Sequence, residues 1–145
     1  MDLGIRGRKA LVCASTQGLG FACALALAQE GCQVILNGRH VDRLEQAAQR
    51  LRELTGSDVH TVQADLNTES GRAHLIASVT DPDILINNNA GPPPGQLADW
   101  DHALWLQTLE SNLIAGAMLL RAYLPGMRAR KFGRVVNITS AMVKT

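Results

Sequence analysis

This chain has no marked excess of positive or negative charge. Its 14 Lys and Arg against 13 Asp and Glu leave a net charge of +1 at pH 7, and the arginines are dispersed rather than gathered into a patch. That balance gives no basis for nucleic acid or an anionic membrane as a partner. Long hydrophobic runs are missing too: none approaches the ~20 residues of a membrane span. The first residues, Met1-Asp2-Leu3-Gly4-Ile5-Arg6, lack the apolar core of a signal peptide. Cysteine is sparse. Cys13, Cys23 and Cys32 are odd in number and form no CxxC, which leads us to expect three reduced thiols in a cytoplasmic protein. The histidines (His40, His60, His74, His102) show no metal-ligand spacing, so no metal site is expected.

What remains is enough to build a core. With 145 residues, 46% of them hydrophobic, the chain is expected to form one domain spanning 1–145. No internal repeat or interdomain linker divides it. Short apolar runs recur at Ala10–Ala14, Val34–Leu36, Val59–Val62, Ile84–Ile86 and Val135–Ile138. Most are nearly continuous rather than alternating, as in parallel strands covered by helices on both faces. Between them lie helical patterns. Leu19–Glu30 is Ala/Leu-rich and stops at Gly31, and Asp42–Leu54 stops near Gly56. Thr68–Val79 is weaker. Trp100–Arg130 is the longest; its first part reads as a possible separate helix, and Pro125-Gly126 is expected to interrupt it late. The order predicts a doubly wound α/β fold, three layers αβα, with ligands at the carboxyl edge of a parallel sheet. Pro92-Pro93-Pro94-Gly95 reads as a loop at that edge.

The first run leads into Cys13-Ala14-Ser15-Thr16-Gln17-Gly18-Leu19-Gly20 and then into the first helix. A strand, a glycine-rich turn and a helix N-terminus make a phosphate cradle. The spacing is not the commonest dinucleotide fingerprint. It resembles the T-G-x-x-x-G-x-G turn of the short-chain dehydrogenase/reductase family, with Gly18 and Gly20 as the last two glycines and Cys13 and Ala14 in place of the first Thr and Gly. Alanine carries a Cβ, so Ala14 must sit at negative φ or bear strain. Asn88-Asn89-Ala90-Gly91 is similar to the family's N-N-A-G, and Ser111-Asn112-Leu113 with Leu124-Pro125-Gly126-Met127 to its V-N-L and L-P-x-M. Gly133-Arg134-Val135-Val136-Asn137-Ile138-Thr139-Ser140 is similar to its fifth strand and serine. On these motifs the chain resembles the N-terminal part of the family's 3-oxoacyl-ACP-reductase-like members. The resemblance implies a Rossmann-like fold of which five strands are present, and it leads us to expect a domain truncated at its C-terminus.

The resemblance also implies roles. Ser15, Gln17, Gly18, Leu19 and Gly20 would contact cofactor phosphates. Asp65 and Leu66 would lie on the adenine side, and Asn89, Ala90 and Gly91 beside the ribose. Ser140 would hydrogen-bond the substrate carbonyl, with Thr139 as its neighbouring candidate, and Asn112 would help hold a water in a proton relay. After the second strand stands Asn37-Gly38-Arg39, with no acid to accept the ribose hydroxyls. Arg39 can fork onto a phosphate, so NADP(H) is expected over NAD(H).

The family's proton donor is a Tyr with a Lys four residues on. The only Tyr here is Tyr123, followed at that spacing by Met127, and Lys144 is preceded by Ser140. Two readings follow. One is an N-terminal segment of an NADP(H)-dependent carbonyl reductase or alcohol dehydrogenase acting on a small molecule, its acid supplied from outside the chain. The other is a module that binds or senses a dinucleotide without turnover. A homo-oligomer is expected, because a chain of this extent would expose apolar surface.

Overall fold

The computed structural model describes residues 1–140. Five strands alternate with helices: β1 (Lys9–Val12), α1 (Gly18–Gln29), β2 (Gln33–Gly38), α2 (Val41–Thr55), β3 (Val59–Gln63), α3 (Glu69–Ser78), β4 (Ile84–Asn87), α4 (His102–Leu109), α5 (Ala115–Ala129) and β5 (Arg134–Asn137). All pairings are parallel, in the order β3-β2-β1-β4-β5. The chain therefore winds outward one way from β1, then reverses to β4. The carboxyl ends of β1 and β4 flank that switch point, where α/β sheets open a crevice.

Alternation along the strands feeds two cores. Ala10, Val12, Val34, Leu36, Ile84 and Ile86 pack with α1 and α2 through Ala24, Ala28, Leu44 and Leu51. Leu11, Ile35 and Leu85 turn the other way and pack with Leu75 of α3 and Leu119, Tyr123 and Met127 of α5. Both faces of the central strands are thus covered, as their continuous apolar runs require. β5 departs from that expectation. Val135 joins the α5-side core, but Val136 is exposed, because no described helix covers the opposite face beside it.

Local chemistry sets the helix ends. Past α1, Gly31 adopts φ +82° while the N–H of Cys32 reaches Leu27 O (3.0 Å) and that of Gly31 reaches Ala28 O (3.0 Å). Thr68 caps α3 by accepting from the N–H of Gly71 (3.0 Å), and Asp101 caps α4 by accepting from that of Leu104 (2.8 Å). The long helical stretch breaks differently from the sequence expectation. Pro125 does not interrupt it. α5 runs through to Ala129, with Pro125 on the solvent side between buried Tyr123 and Met127. Burying those two side chains outweighs the one backbone bond proline removes. The break comes earlier, at Glu110–Ile114, where the chain winds as one π turn between α4 and α5.

Candidate cofactor and catalytic groove

Two clefts of about 340 Å³ each lie along the carboxyl edge and share Leu66, Asn88 and Asn89 as a common wall. One faces the glycine turn and the end of β2. The other faces the π turn and the end of β5. No Asp or Glu lines either cleft among the described residues.

The first cleft is built around the start of α1. Gln17 stands at its N-cap without a side-chain cap, so the first N–H groups keep no side-chain acceptor. Gly18 takes φ +57°, a backbone region that side chains disfavour. Gly20 has no room for a side chain: a Cβ there would collide with Ala14 O and meet Asn88 Nδ2 and Ser15 Cα, each at 2.9 Å. The helix start is therefore pressed against the end of β1, and the first turn opens onto the cleft. Ala14 resolves the alternative posed by its Cβ on the strained side, at φ +46°. Its N–H donates to Asn37 Oδ1 (3.2 Å), and its carbonyl accepts from Asn88 Nδ2 (3.2 Å).

The expected phosphate contacts divide. Gln17, Gly18 and Leu19 line the cleft. Ser15 does not: its hydroxyl is buried, donates to Val12 O (2.8 Å) and accepts from the N–H of Asn37 (3.1 Å). That side chain ties β1 to β2. The next hydroxyl, Thr16, lines the cleft instead, with its methyl 2.7 Å from where a Cβ on Gly38 would stand. Sequence reasoning passed over Thr16, since two adjacent hydroxyls in one turn carry no mark of which faces out.

Arg39 stands exposed on the cleft wall, and its backbone carbonyl accepts from Gln63 Nε2 (3.0 Å). His40 and Arg43, also passed over, line the same wall. Asn37 is the hidden organiser. Buried, it donates to Val62 O (3.2 Å) and Ala64 O (3.1 Å) and accepts from Ala14, which knits the ends of β1, β2 and β3. The adenine-side pair separates. Leu66 shapes both clefts, whereas Asp65 lines neither, and its carboxylate accepts from the N–H of Asn67 (3.0 Å).

Asn89 links the two clefts. Its Nδ2 donates to Asn67 Oδ1 (2.9 Å) and to Ser111 O (3.0 Å), while its Oδ1 accepts from the N–H of Ala90 (2.9 Å). Ala90 lines the first cleft. Gly91 lines neither and is exposed at the start of the proline loop. In the second cleft Asn112 rides on the π turn, with Nδ2 donating to Thr108 O and Ser111 Oγ, each at 3.0 Å. A π turn inserts one residue and disturbs the helical ladder. Here the carbonyl of Ser111 is taken up by Asn89. Opposite, Asn87 Nδ2 donates to Asn137 Oδ1 (3.0 Å) across β4 and β5, and the N–H of Ile138 extends the ladder to Asn87 O (2.9 Å). Thr139 follows on the wall of the second cleft, and Ser140 stands exposed next to it. Lys144 lies outside the described residues.

Two groups elsewhere with reactive potential, Cys13 and Tyr123, are buried. Burial pushes the Cys13 thiol up to about 12, so it stays protonated. Tyr123 sits in the α5-side core, lines neither cleft, and has its phenol pKa raised by burial first and by Cys13 second. Among the described residues no cluster fit for a metal occurs, and no helix is long and apolar enough to cross a membrane.

A family model described as short chain dehydrogenase matches residues 8–145. The chain belongs to the short-chain dehydrogenase family. Within the family, an uncharacterised oxidoreductase of Bacillus subtilis is 37% identical over 141 residues, covering 97% of this chain and 53% of that protein. The human dehydrogenase/reductase SDR family member 4 is 34% identical, covering 94% of this chain and 50% of its own length. The crystal structure of L-sorbose reductase from Gluconobacter frateurii, complexed with NADPH and L-sorbose, superposes with a TM-score of 0.92 at 34% identity, over 97% of this chain and 55% of that one. A metagenomic short-chain oxidoreductase in complex with NADP gives 0.84 at 31% identity, over 93% and 63%. The chain thus spans about half the length of the curated relatives it matches.

Proposed function

We propose that this chain is the cofactor-binding part of an NADP(H)-dependent oxidoreductase that interconverts a carbonyl and an alcohol on a small molecule. The observation that carries the reading is the first cleft. An uncapped helix start, pressed close by Gly20, faces a wall with Arg39 and Arg43 and no carboxylate. Free N–H groups and a positive helix end suit a pyrophosphate. Guanidinium groups suit a further phosphate on the ribose. The NADPH- and NADP-bound family relatives support the same choice.

When bound, the dinucleotide supplies or takes a hydride. The chain's residues do the rest. Gln17, Gly18, Leu19 and Gly20 hold the phosphates through the α1 start, with Thr16 beside them. Asn89 and Ala90 border the ribose. Ser140 orients the substrate carbonyl by hydrogen bonding, with Thr139 next to it. Asn112 holds a water in the uncharged second cleft, and the sequence holds no Tyr with a Lys four residues on to supply the proton. We further place the protein in the cytoplasm, on its three free cysteines. We also expect it to self-associate through exposed Trp105, Leu106, Leu109 and Leu113 along α4 and the π turn.

Titration of the chain with NADPH and with NADH, repeated on Arg39→Ala, tests the cofactor reading. NADPH should bind more tightly, and Arg39→Ala should cut that preference by about tenfold, the order of one charge-assisted phosphate contact. An unchanged preference would defeat the role of Arg39.

A further inference from the structure

Arg72 lines neither cleft. It is buried nonetheless, on α3. A buried guanidinium is costly unless it is fully engaged. Its Nη1 donates to Leu66 O (2.9 Å) and pairs with Glu110 Oε1 at 2.6 Å. Leu66 is the wall common to both clefts, and Glu110 opens the π turn that carries Asn112. One nitrogen therefore joins the shoulder of the cofactor cleft to the turn presenting the water-holding residue. Asn89 clamps the same turn from the other side, at Ser111 O.

We propose that Arg72 and Glu110 form a positioning pair that sets the π turn, and with it Asn112, in register with the Leu66 wall of the cofactor cleft. The proposal rests on the role given to Asn112 above. Nη1 carries two hydrogens, so this one nitrogen can serve the carbonyl and the carboxylate together. A π turn is a local departure from the plain helical ladder. The Arg72 contact holds it at its first residue.

The test must separate tethering from simple loss of fold. Removing one partner strands a buried charge, so the informative variant replaces both, Arg72→Met with Glu110→Leu; such exchanges of a buried pair often leave stability intact. Glu110→Gln is the conservative control, because its Oε1 still accepts from Arg72. The readouts are NADPH affinity by fluorescence titration and the NMR amide resonances of Ser111, Asn112 and Asn89. We expect the double variant to fold, to shift those resonances and to bind NADPH roughly 2- to 30-fold more weakly. Glu110→Gln should keep the resonances and most of the affinity. A folded double variant with unmoved resonances overturns the proposal, whatever its affinity. Equal losses in Glu110→Gln and the double variant also overturn it, since charge rather than tethering would then be responsible. If the unaltered chain binds no NADPH, the functional reading fails, and the resonances alone still decide the tether.

Discussion

Ala14 offers a sharp test of the local energetics at the cofactor turn. It holds φ +46° at the point where the family pattern has glycine. A left-handed backbone brings the Cβ of an L-residue against the following carbonyl, at roughly 1–2 kcal/mol. Two hydrogen bonds hold it there, one from its own N–H to Asn37 Oδ1 and one from Asn88 Nδ2 to its carbonyl. Ala14→Gly keeps both and removes the clash. Its cost is the greater freedom of glycine in the unfolded chain, about 0.4–1 kcal/mol. Ala14 lines the open cleft, so losing its methyl creates no closed cavity. The balance is a gain of about 0–1.6 kcal/mol, centred near about 0.8, the difference between those two quantities. Equilibrium urea unfolding should show a midpoint raised by a few tenths of molar with an unchanged slope. An Ala14→Gly variant less stable than the parent would refute the reasoning. It would mean that the methyl contributes packing the geometry does not reveal, or that φ relaxes to negative values in solution.

Two further outcomes follow from the same structure. Gly20→Ala should lower stability by about 1–3 kcal/mol, because its Cβ would strike backbone at Ala14 and Ser15, which cannot swing aside as a side chain does; a urea midpoint within error of the parent would contradict the close approach. Raising the pH should destabilise the fold from about pH 9 upward. The Cys13 thiol ionises near 9.0 when unfolded and at about 12 when folded. Below 9 both states hold the proton; between those values only the folded state does, so stability falls by about 1.4 kcal/mol per pH unit for this group. Tyr123, raised from 10.0 by burial, adds a second loss beginning above that value. Thermal unfolding between pH 8 and 11 should therefore be steeper in pH for the parent than for Cys13→Ala, and equal slopes would count against the burial argument.

The fold was legible where both faces of a strand are covered. Ala10–Ala14, Val34–Leu36 and Ile84–Ile86 carry apolar side chains on both alternations because α1 and α2 lie on one side and α3 and α5 on the other. Val136 misled for the converse reason, since β-branched residues suit a strand whether or not a helix covers it. Pro125 misled because a local propensity lost to the burial of Tyr123 and Met127. Nothing in Glu110–Ile114 announces a π turn; its partners Asn89 and Arg72 are distant in sequence. At the candidate site, motif spacing brought Gln17, Gly18, Leu19, Arg39, Leu66, Asn89, Ala90 and Asn112 onto the groove. It could not tell a residue whose hydroxyl bridges strands, Ser15, from one that lines the cleft, Thr16. Asp65, for which a local capping role stood beside the adenine-side contact, is occupied in its own turn, at Asn67.

The central claim is that a nicotinamide dinucleotide binds along this groove, phosphates at the start of α1. Backbone amide NMR of the chain during titration with NADPH tests it most directly. The account expects saturable shifts at Gly18, Leu19 and Gly20, at Arg39, at Leu66, and at Asn89 and Ala90, with little change on β3 or α3. Shifts confined to other surfaces, or none at NADPH concentrations well above the micromolar range, would contradict it.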